Sequence, residues 1–460
     1  MSKAFSNCFA APDANALPLL AVSLAEWPKV AASLSPLEAR FAEGAGFRAE
    51  PGSFLILPGP DGAPRTVLAG VESYRSCQAL GALPWLLPPG DYRLAGGADP
   101  ERAVLAWGLG AYRYARYRKP PRMPARLAAS EQDFPEQARA LRAIWWLRDL
   151  INTPAEELGP AELAEVAGEL ARHAGATLRT WVGEELLSAG FPTIHAVGRA
   201  SARAPRLIEL LWGDPEAPEL VLIGKGVCFD SGGLDLKPAE GMRWMKKDMG
   251  GAAHALALAR VVMEEGLPVH LRVLIPAVDN MIDGRAFKPG DVIRTRSGLT
   301  VEIDNTDAEG RLILCDAISY AGERAYDLCL IFATLTGAAR IALGPELPAF
   351  YTDDDALAAA IEEAARSCED PCWRMPLWRP YLEYLESPIA DLANAGGGKM
   401  AGSIVAALFL ARFLRPDRPF AHFDLYAWND KDRPGRPRGG EAQCLRAMIE
   451  VLRRRYRQAS

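Results

Sequence analysis

The sequence predicts an α/β protein, with a small N-terminal α/β domain and a larger C-terminal domain whose mixed, mostly parallel sheet is flanked by helices. Three observations carry this expectation. The chain has 460 residues, long for one hydrophobic core, so two domains are expected. Four short runs rich in Val, Ile, Leu and Phe read as strands buried on both faces. Amphipathic stretches separate these runs, and strands alternating with helices build parallel sheets.

Residues 1 to about 130 are rich in Ala, Pro and Leu, and runs such as FLILPG (54–59) and AVLAWGLGAY (103–112) suggest the small unit. Polar residues of catalytic type do not cluster there. The basic, proline-rich YRKPPRMPAR (117–126) marks a surface linker. A helix follows, EQARALRAIWWLRDLINTP, which stops before Pro154 and connects the domains. The boundaries are therefore 1–130, 131–155 for the connecting helix, and 156–460. Beyond it, PAELAEVAGELARHAG (160–175) is helical, and the four strands are ELVLIG (219–224), HLRVLIPA (270–277), LCLIFATL (328–335) and FAHFDLYAW (420–428). Helical candidates between them span 250–266, 315–325 and 402–414. Ligands of open α/β sheets bind beyond the carboxyl ends of strands. Three polar clusters sit there: GKGVCFDSGG, DNMIDGRAFKPGD and TLTGAAR.

Composition narrows the function classes. Hydrophobic residues are 49% and charged residues 24%, ordinary for a soluble protein. A net charge of -6 argues against a nucleic-acid partner, although a local basic patch stays open. Eight scattered cysteines without a CxxC pair read as free thiols in a reducing compartment. Cys368 and Cys372 would share a helix face, but no second pair stands near them to complete a zinc site. The N-terminal stretch has no signal-peptide pattern, and no apolar run approaches the roughly 18 residues that span a bilayer. A cytoplasmic protein without a membrane partner is expected.

The chemistry concentrates between Lys225 and Arg311. Lys225, Asp230, Lys237 and Asp248 lie in IGKGVCFDSGGLDLKPAEGMRWMKKDMGGAAH, and Asp307, Glu309 and Arg311 lie in DNTDAEGRL. Asp307 and Glu309, two apart, would point the same way from an extended segment. Carboxylates gathered at one point need cations, and two divalent metals bridged by shared carboxylates would supply them. The same residues could instead be solvated loops and helix caps. No HExxH pair is present, and His254 and His422 read as packed residues rather than ligands.

The strings NTDAEGRL and GKGVCFDSGGLDLK closely resemble the leucyl aminopeptidase (cytosol aminopeptidase) family. INTPAEEL (151–158), KKDMGGAA (246–253), ATLTGA (333–338) and GSIVAALFL (402–410) add to the likeness, which runs from about 145 to 430. The first 130 residues carry no matching motif. The resemblance implies an aminopeptidase that removes the N-terminal residue of peptides with a free N-terminus, using two divalent ions and a water between them. It implies Lys225, Asp230, Asp248, Asp307 and Glu309 as metal ligands, with Asp230 and Glu309 bridging. Lys237 and Arg311 are implied as the catalytic pair, Lys237 supporting charge on the scissile carbonyl and Arg311 holding bicarbonate as general base. A guanidinium suits a planar oxyanion and cannot itself be the base. Met245, Thr334, Leu335 and Gly337 match substrate-cleft positions, and a homohexamer is implied. Mn²⁺ and Zn²⁺ lead the candidate ions, with Mg²⁺ and Co²⁺ also compatible with the donor set.

One stretch departs from the family. After the final strand, where small residues floor the substrate pocket in the family, this chain has Tyr426 and Trp428. Two aromatics there either narrow the pocket or pack plainly against neighbours, so substrates smaller or more polar than Leu are expected. A nucleic-acid-binding regulatory protein on the same scaffold is the alternative function.

Overall fold

The apolar runs of the first 130 residues fold as strands and helices of one unit. The computed structural model describes residues 8–13, 15–396, 398 and 400–457; the first seven residues of the N-terminal stretch lie outside these. Six strands, β1 (Phe9–Ala10), β2 (Leu17–Ser23), β3 (Phe54–Pro58), β4 (Pro64–Val71), β5 (Asp91–Gly96) and β6 (Arg126–Ala128), form a sheet in the order β1-β6-β5-β2-β4-β3. It is parallel except for the β3–β4 pair. FLILPG supplies β3, whereas AVLAWGLGAY falls within the helix Pro100–Ala111. The Asp99 side chain caps that helix by accepting from the Arg102 amide, and Pro100 occupies its first turn.

The chain divides into two compact units, Met1–Arg148 with Asn429–Glu441, and Asp149–Trp428 with Ala442–Ser460. The helix Pro135–Asn152 crosses that division in sequence. Within the first unit a buried arginine ties in the late segment. Arg148 donates to the carbonyls of Leu109 (2.8 Å) and Gly435 (2.9 Å) and pairs with Glu441 at 3.3 Å.

The second unit holds nine strands in one sheet: β7 (Thr177–Val182), β8 (Arg206–Trp212), β9 (Glu219–Gly224), β10 (Gly226–Asp230), β11 (His270–Asn280), β14 (Leu328–Ala333), β15 (Ala349–Tyr351), β16 (Trp373–Arg374) and β18 (Phe420–Asp424). A small separate sheet joins β12 (Val292–Arg294), β13 (Thr300–Glu302) and β17 (Leu392–Ala393). The large sheet runs β16-β15-β18-β14-β9-β11-β8-β7, with β10 pairing only β11. Its centre, β18-β14-β9-β11, is parallel, and antiparallel pairs appear at β15–β18, β11–β8 and β8–β7. The sheet is therefore mixed with a parallel heart, as the alternating pattern predicts. Leu220 to Ile223 and Leu328 to Ala333 are wholly inaccessible, which explains their unbroken apolar runs. Truncating one such leucine would cost about 2–5 kcal/mol.

Two local expectations need correction. GKGVCFDSGG is not all loop after β9: Gly226–Asp230 forms β10, which continues parallel to the far end of β11 with an irregularity between Val227 and Phe229. The segment around Asp307 and Glu309 is not extended either. Residues 304–307 make a bend and turn, and Glu309 opens the helix Glu309–Ala321. Asp307 donates its amide to Asn305 Oδ1 at 2.7 Å, a side-chain-closed turn that strand pairing would not allow.

Candidate active site

The carboxyl ends of β9, β14 and β18 open onto a cavity of about 440 Å³. Lys225 follows β9 directly, Asp230 ends β10, and Asp248 sits in the short turn of 3-10 helix Met245–Met249 before the helix Gly250–Glu264. Asp307 comes from the 304–307 turn, and Glu309 and Arg311 from the first turn of the next helix. Lys237 stands on the loop between β10 and residue 239. Thr334 and Leu335 follow β14, and Gly337 begins the helix Gly337–Leu343.

The structure brings the seven chemistry-bearing side chains together. Lys225 Nζ lies 2.7 Å from Asp248 Oδ2 and 2.9 Å from Glu309 Oε1. Lys237 Nζ lies 2.8 Å from Asp230 Oδ2 and also contacts Asp307 Oδ1. Ligand oxygens of Asp230, Asp307 and Glu309 all lie within 4.8 Å of one another. Arg311 is set apart by its bond, donating to the Asn394 carbonyl at 2.7 Å beneath the Phe409 ring.

Electrostatics explains how such crowding persists. Burial opposes the Lys225 charge, but Asp248, Glu309 and Asp230 overcome it and hold the ammonium above its ordinary range. Lys237 is raised in the same way against its own burial, chiefly by Asp230 and Glu309. The acids show the counterpart. Burial and then the Asp230 charge push Glu309 up to about 8 and Asp307 up to about 6. Asp248 goes down despite burial, because Lys225 and Lys247 face it. Burial lowers Arg311 to about 10, with Glu309 and Asp424 opposing, so it stays a cation at neutral pH.

Whether a metal fits can be judged from the oxygens themselves. Asp248 Oδ2 and Glu309 Oε1 meet Lys225, Asp307 Oδ1 meets Lys237, and the buried Glu309 Oε2 has no hydrogen-bond partner among the described residues. Two lysines face four acids, Asp230, Asp248, Asp307 and Glu309, so the cluster is short of positive charge, a deficit that a divalent cation removes. The donor set, hard oxygens with one amine, suits divalent ions. The acidic cluster can therefore hold metal.

Several residues shape the site in ways their strings do not reveal. Asn280 donates to Asp230 Oδ1 at 2.9 Å and to the Thr306 carbonyl at 3.0 Å, joining the two halves of the cluster. Asp235 accepts from the Thr306 amide at 2.7 Å, which pins the Lys237 loop to the Asp307 turn. Asp424, at the end of β18, accepts from the amides of Leu335 and Thr336 and from the hydroxyls of Thr336 and Ser403. It thereby fixes the cleft wall. Thr334 does more than line the cleft, since its hydroxyl donates to Asp248 Oδ1 at 2.7 Å. The expected histidine roles hold. His254 packs in the core, bonded through Nδ1 to Gly250 and accepting the Gln443 amide at Nε2. His422 is likewise buried in β18.

The two aromatics of the departing stretch separate. Tyr426 lines the cavity. Trp428 is 4% exposed and packs on Trp244 at 4.9 Å between ring centres.

Comparison with known proteins agrees with this geometry. Residues 145–449 match the catalytic domain of the cytosol aminopeptidase family, and residues 17–130 match the M17 aminopeptidase N-terminal domain. The crystal structure of a cytosol aminopeptidase from Coxiella burnetii superposes with a TM-score of 0.95 at 46% identity, covering 98% of this chain and 100% of that one. The bottromycin maturation enzyme BotP in complex with Mn superposes at 0.86 with 34% identity, covering 96% of this chain and 99% of that one. A probable cytosol aminopeptidase of Desulfovibrio desulfuricans is 39% identical over 416 residues, covering 85% of this chain and 82% of its own. Nothing in these matches favours a nucleic-acid-binding role, and no described helix is long and apolar enough to cross a membrane. The chain belongs to the cytosol aminopeptidase family, the M17 metallo-aminopeptidases, whose members remove the N-terminal residue from peptides by metal-dependent hydrolysis.

Proposed function

We propose that this aminopeptidase works through two divalent ions held by Lys225, Asp230, Asp248, Asp307 and Glu309, with Lys237 and Arg311 as its catalytic side chains. The observation that supports this most is the convergence of Asp230, Asp307 and Glu309, whose oxygens lie within 4.8 Å of one another beside buried Asp248. When bound, the ions supply Lewis acidity and a water made acidic enough to attack at neutral pH. Asp230, which contacts Lys237, and Glu309, which contacts Lys225, would be shared between the two ions in this reading. Lys225 would hold an ion only as the neutral amine, without the proton that the surrounding acids otherwise keep on it. Lys237 keeps its proton, and its ammonium supports the negative charge that grows on the scissile carbonyl oxygen. Arg311, anchored through one nitrogen on Asn394, would hold a bicarbonate on the rest of its fork, and that ion would supply a general base there. Mn²⁺ or Zn²⁺ are the favoured ions; the Mn complex of the BotP relative supports the first.

Met245, Thr334, Leu335 and Gly337 line the cavity and form the substrate cleft of this reading. Peptides with a free N-terminus are the substrates, the assembly is a homohexamer, and the compartment is the cytoplasm. Residues 1–130 act as an N-terminal domain, 131–155 as the connection, and 156–460 as the catalytic domain.

Metal analysis of the purified protein beside Leu-p-nitroanilide hydrolysis tests this reading, using Glu309→Ala and Lys237→Ala. Glu309→Ala should lose both metal and turnover. Lys237→Ala should keep metal and lose about 10²–10³-fold in kcat, the usual cost of one charge-stabilising donor. Full activity in both variants would refute the mechanism.

A further inference from the structure

The cavity contains a cation that the reaction above does not use. Lys247 is only 5% exposed, yet it lines the same cavity as Met245 and Gly337. Its nearest carboxylate oxygen, Asp248 Oδ1, is 4.0 Å away, beyond hydrogen-bond reach. Asp248 is moreover engaged by Lys225 at 2.7 Å and by the Thr334 hydroxyl at 2.7 Å. A buried ammonium without its own acceptor is costly, so its retention in a pocket wall asks for a ligand that supplies one. A second cation stands close by. Arg340, exposed at the cavity wall, places its guanidinium 4.5 Å from the centre of the Tyr426 ring, and Lys247 Nζ lies 5.3 Å from the same centre. The Tyr426 ring thus has both a buried ammonium and a surface guanidinium against it. Asp424, which lines the same cavity, is occupied by the Leu335 and Thr336 amides and two hydroxyls.

We propose that Lys247, with Arg340 at the mouth and Tyr426 as the floor, makes this an aminopeptidase selective for acidic N-terminal residues, the substrate's side-chain carboxylate pairing with the Lys247 ammonium. The proposal rests on the peptidase reading and specifies which peptides it takes. Glu and Asp differ from Gln and Asn by charge at nearly constant shape, so the pocket's choice within each pair isolates the electrostatic term. A charged hydrogen bond in a desolvated pocket is worth at least about tenfold in discrimination.

The metal-loaded enzyme is assayed on Glu-, Gln-, Asp-, Asn- and Leu-p-nitroanilides, in wild type, Lys247→Met and Arg340→Ala. Wild type should favour Glu over Gln, or Asp over Asn, by at least about tenfold in kcat/KM. Lys247→Met, similar in length without the charge, should bring that ratio to near one. Arg340→Ala should lower it by a smaller factor. The ratio is read within one preparation, so partial misfolding does not distort it. A wild-type enzyme that cleaves Leu-p-nitroanilide but prefers the amides overturns the proposal while leaving the peptidase reading intact. So does a ratio that survives Lys247→Met. A preference for Leu-Ala over Leu-Ala amide that Lys247→Met erases would assign the lysine to the substrate's free C-terminus and also overturn it. No turnover of any substrate would remove the peptidase reading and the proposal with it.

Discussion

Position 310 shows how much a single residue can decide. A Cβ added to Gly310 would fall 2.6 Å from Lys225 Cε and 2.7 Å from its Nζ. Gly232 has a related duty: its φ of +89° turns the chain so that Lys237 returns over the cluster, and its amide donates to Asp230 Oδ1 at 2.9 Å. Gly310→Ala should therefore displace Lys225 and reduce kcat/KM by about 10²-fold, the cost of an ångström-scale misplacement, with weaker metal retention. Activity and metal content measured on the same sample check this. Lys225, Asp230, Lys237, Asp248, Asp307, Glu309 and Arg311 were grouped through the resemblance carried by GKGVCFDSGGLDLK and NTDAEGRL, since their residue types alone read equally as solvated loops and helix caps. The roles of Asn280, Asp235 and Asp424 were not legible, although each lies in a string that stood out, because each acts on residues 50 to 90 positions away. Lys247 was visible only as one more charge in a basic run, and its burial is a tertiary fact.

At the scale of elements, β18 carries two polar residues inside a strand that is buried throughout. Burial lowers His422 to about 4, because its ring lies in apolar surroundings stacked on Tyr351 at 5.9 Å. The unfolded chain binds this proton near pH 6.5 and the folded one near 4. Stability from the neutral ring is thus complete above 6.5 and lost as pH falls toward 4, by up to about 3 kcal/mol. Asp316, raised to about 6 by burial, acts with the opposite slope, so the informative quantity is a difference between proteins. His422→Gln should flatten the fall in urea-unfolding free energy between pH 7 and 4.5 relative to wild type. An unchanged slope would mean that other groups govern acid unfolding. ELVLIG matched β9 end to end, and FAHFDLYAW located the start of β18 but overran its end at Asp424. Periodicity mistook the Asp307–Glu309 stretch for extended chain, because a turn closed by Asn305 and followed at once by a helix has no period of its own.

For the whole molecule, the alternation of strands and helices foretold the parallel heart of the large sheet, but not its antiparallel pairs at β15 and at β7–β8. Those flanks depend on which edge the chain returns to. Nor did the sequence mark Asn429–Glu441 as joining the first unit, since the tie is the Arg148–Glu441 pair between residues 293 apart. The hexamer of the proposed function is tested by light scattering, which should give about six times the 49.8 kDa chain mass. A monomer mass with full activity would discard it.

The grip of Asp424 on the cleft wall has a consequence for how this enzyme could change its diet. The wall's backbone is locked from behind, through two amides and two hydroxyls, and none of those bonds involves Met245, Lys247 or Tyr426. Selectivity then resides in side-chain tips mounted on a rigid frame. Exchanging a tip alters what is accepted without redrawing the frame, so a lineage could drift between acidic and apolar substrates in one or two mutational steps while its hydrolytic machinery stayed in register.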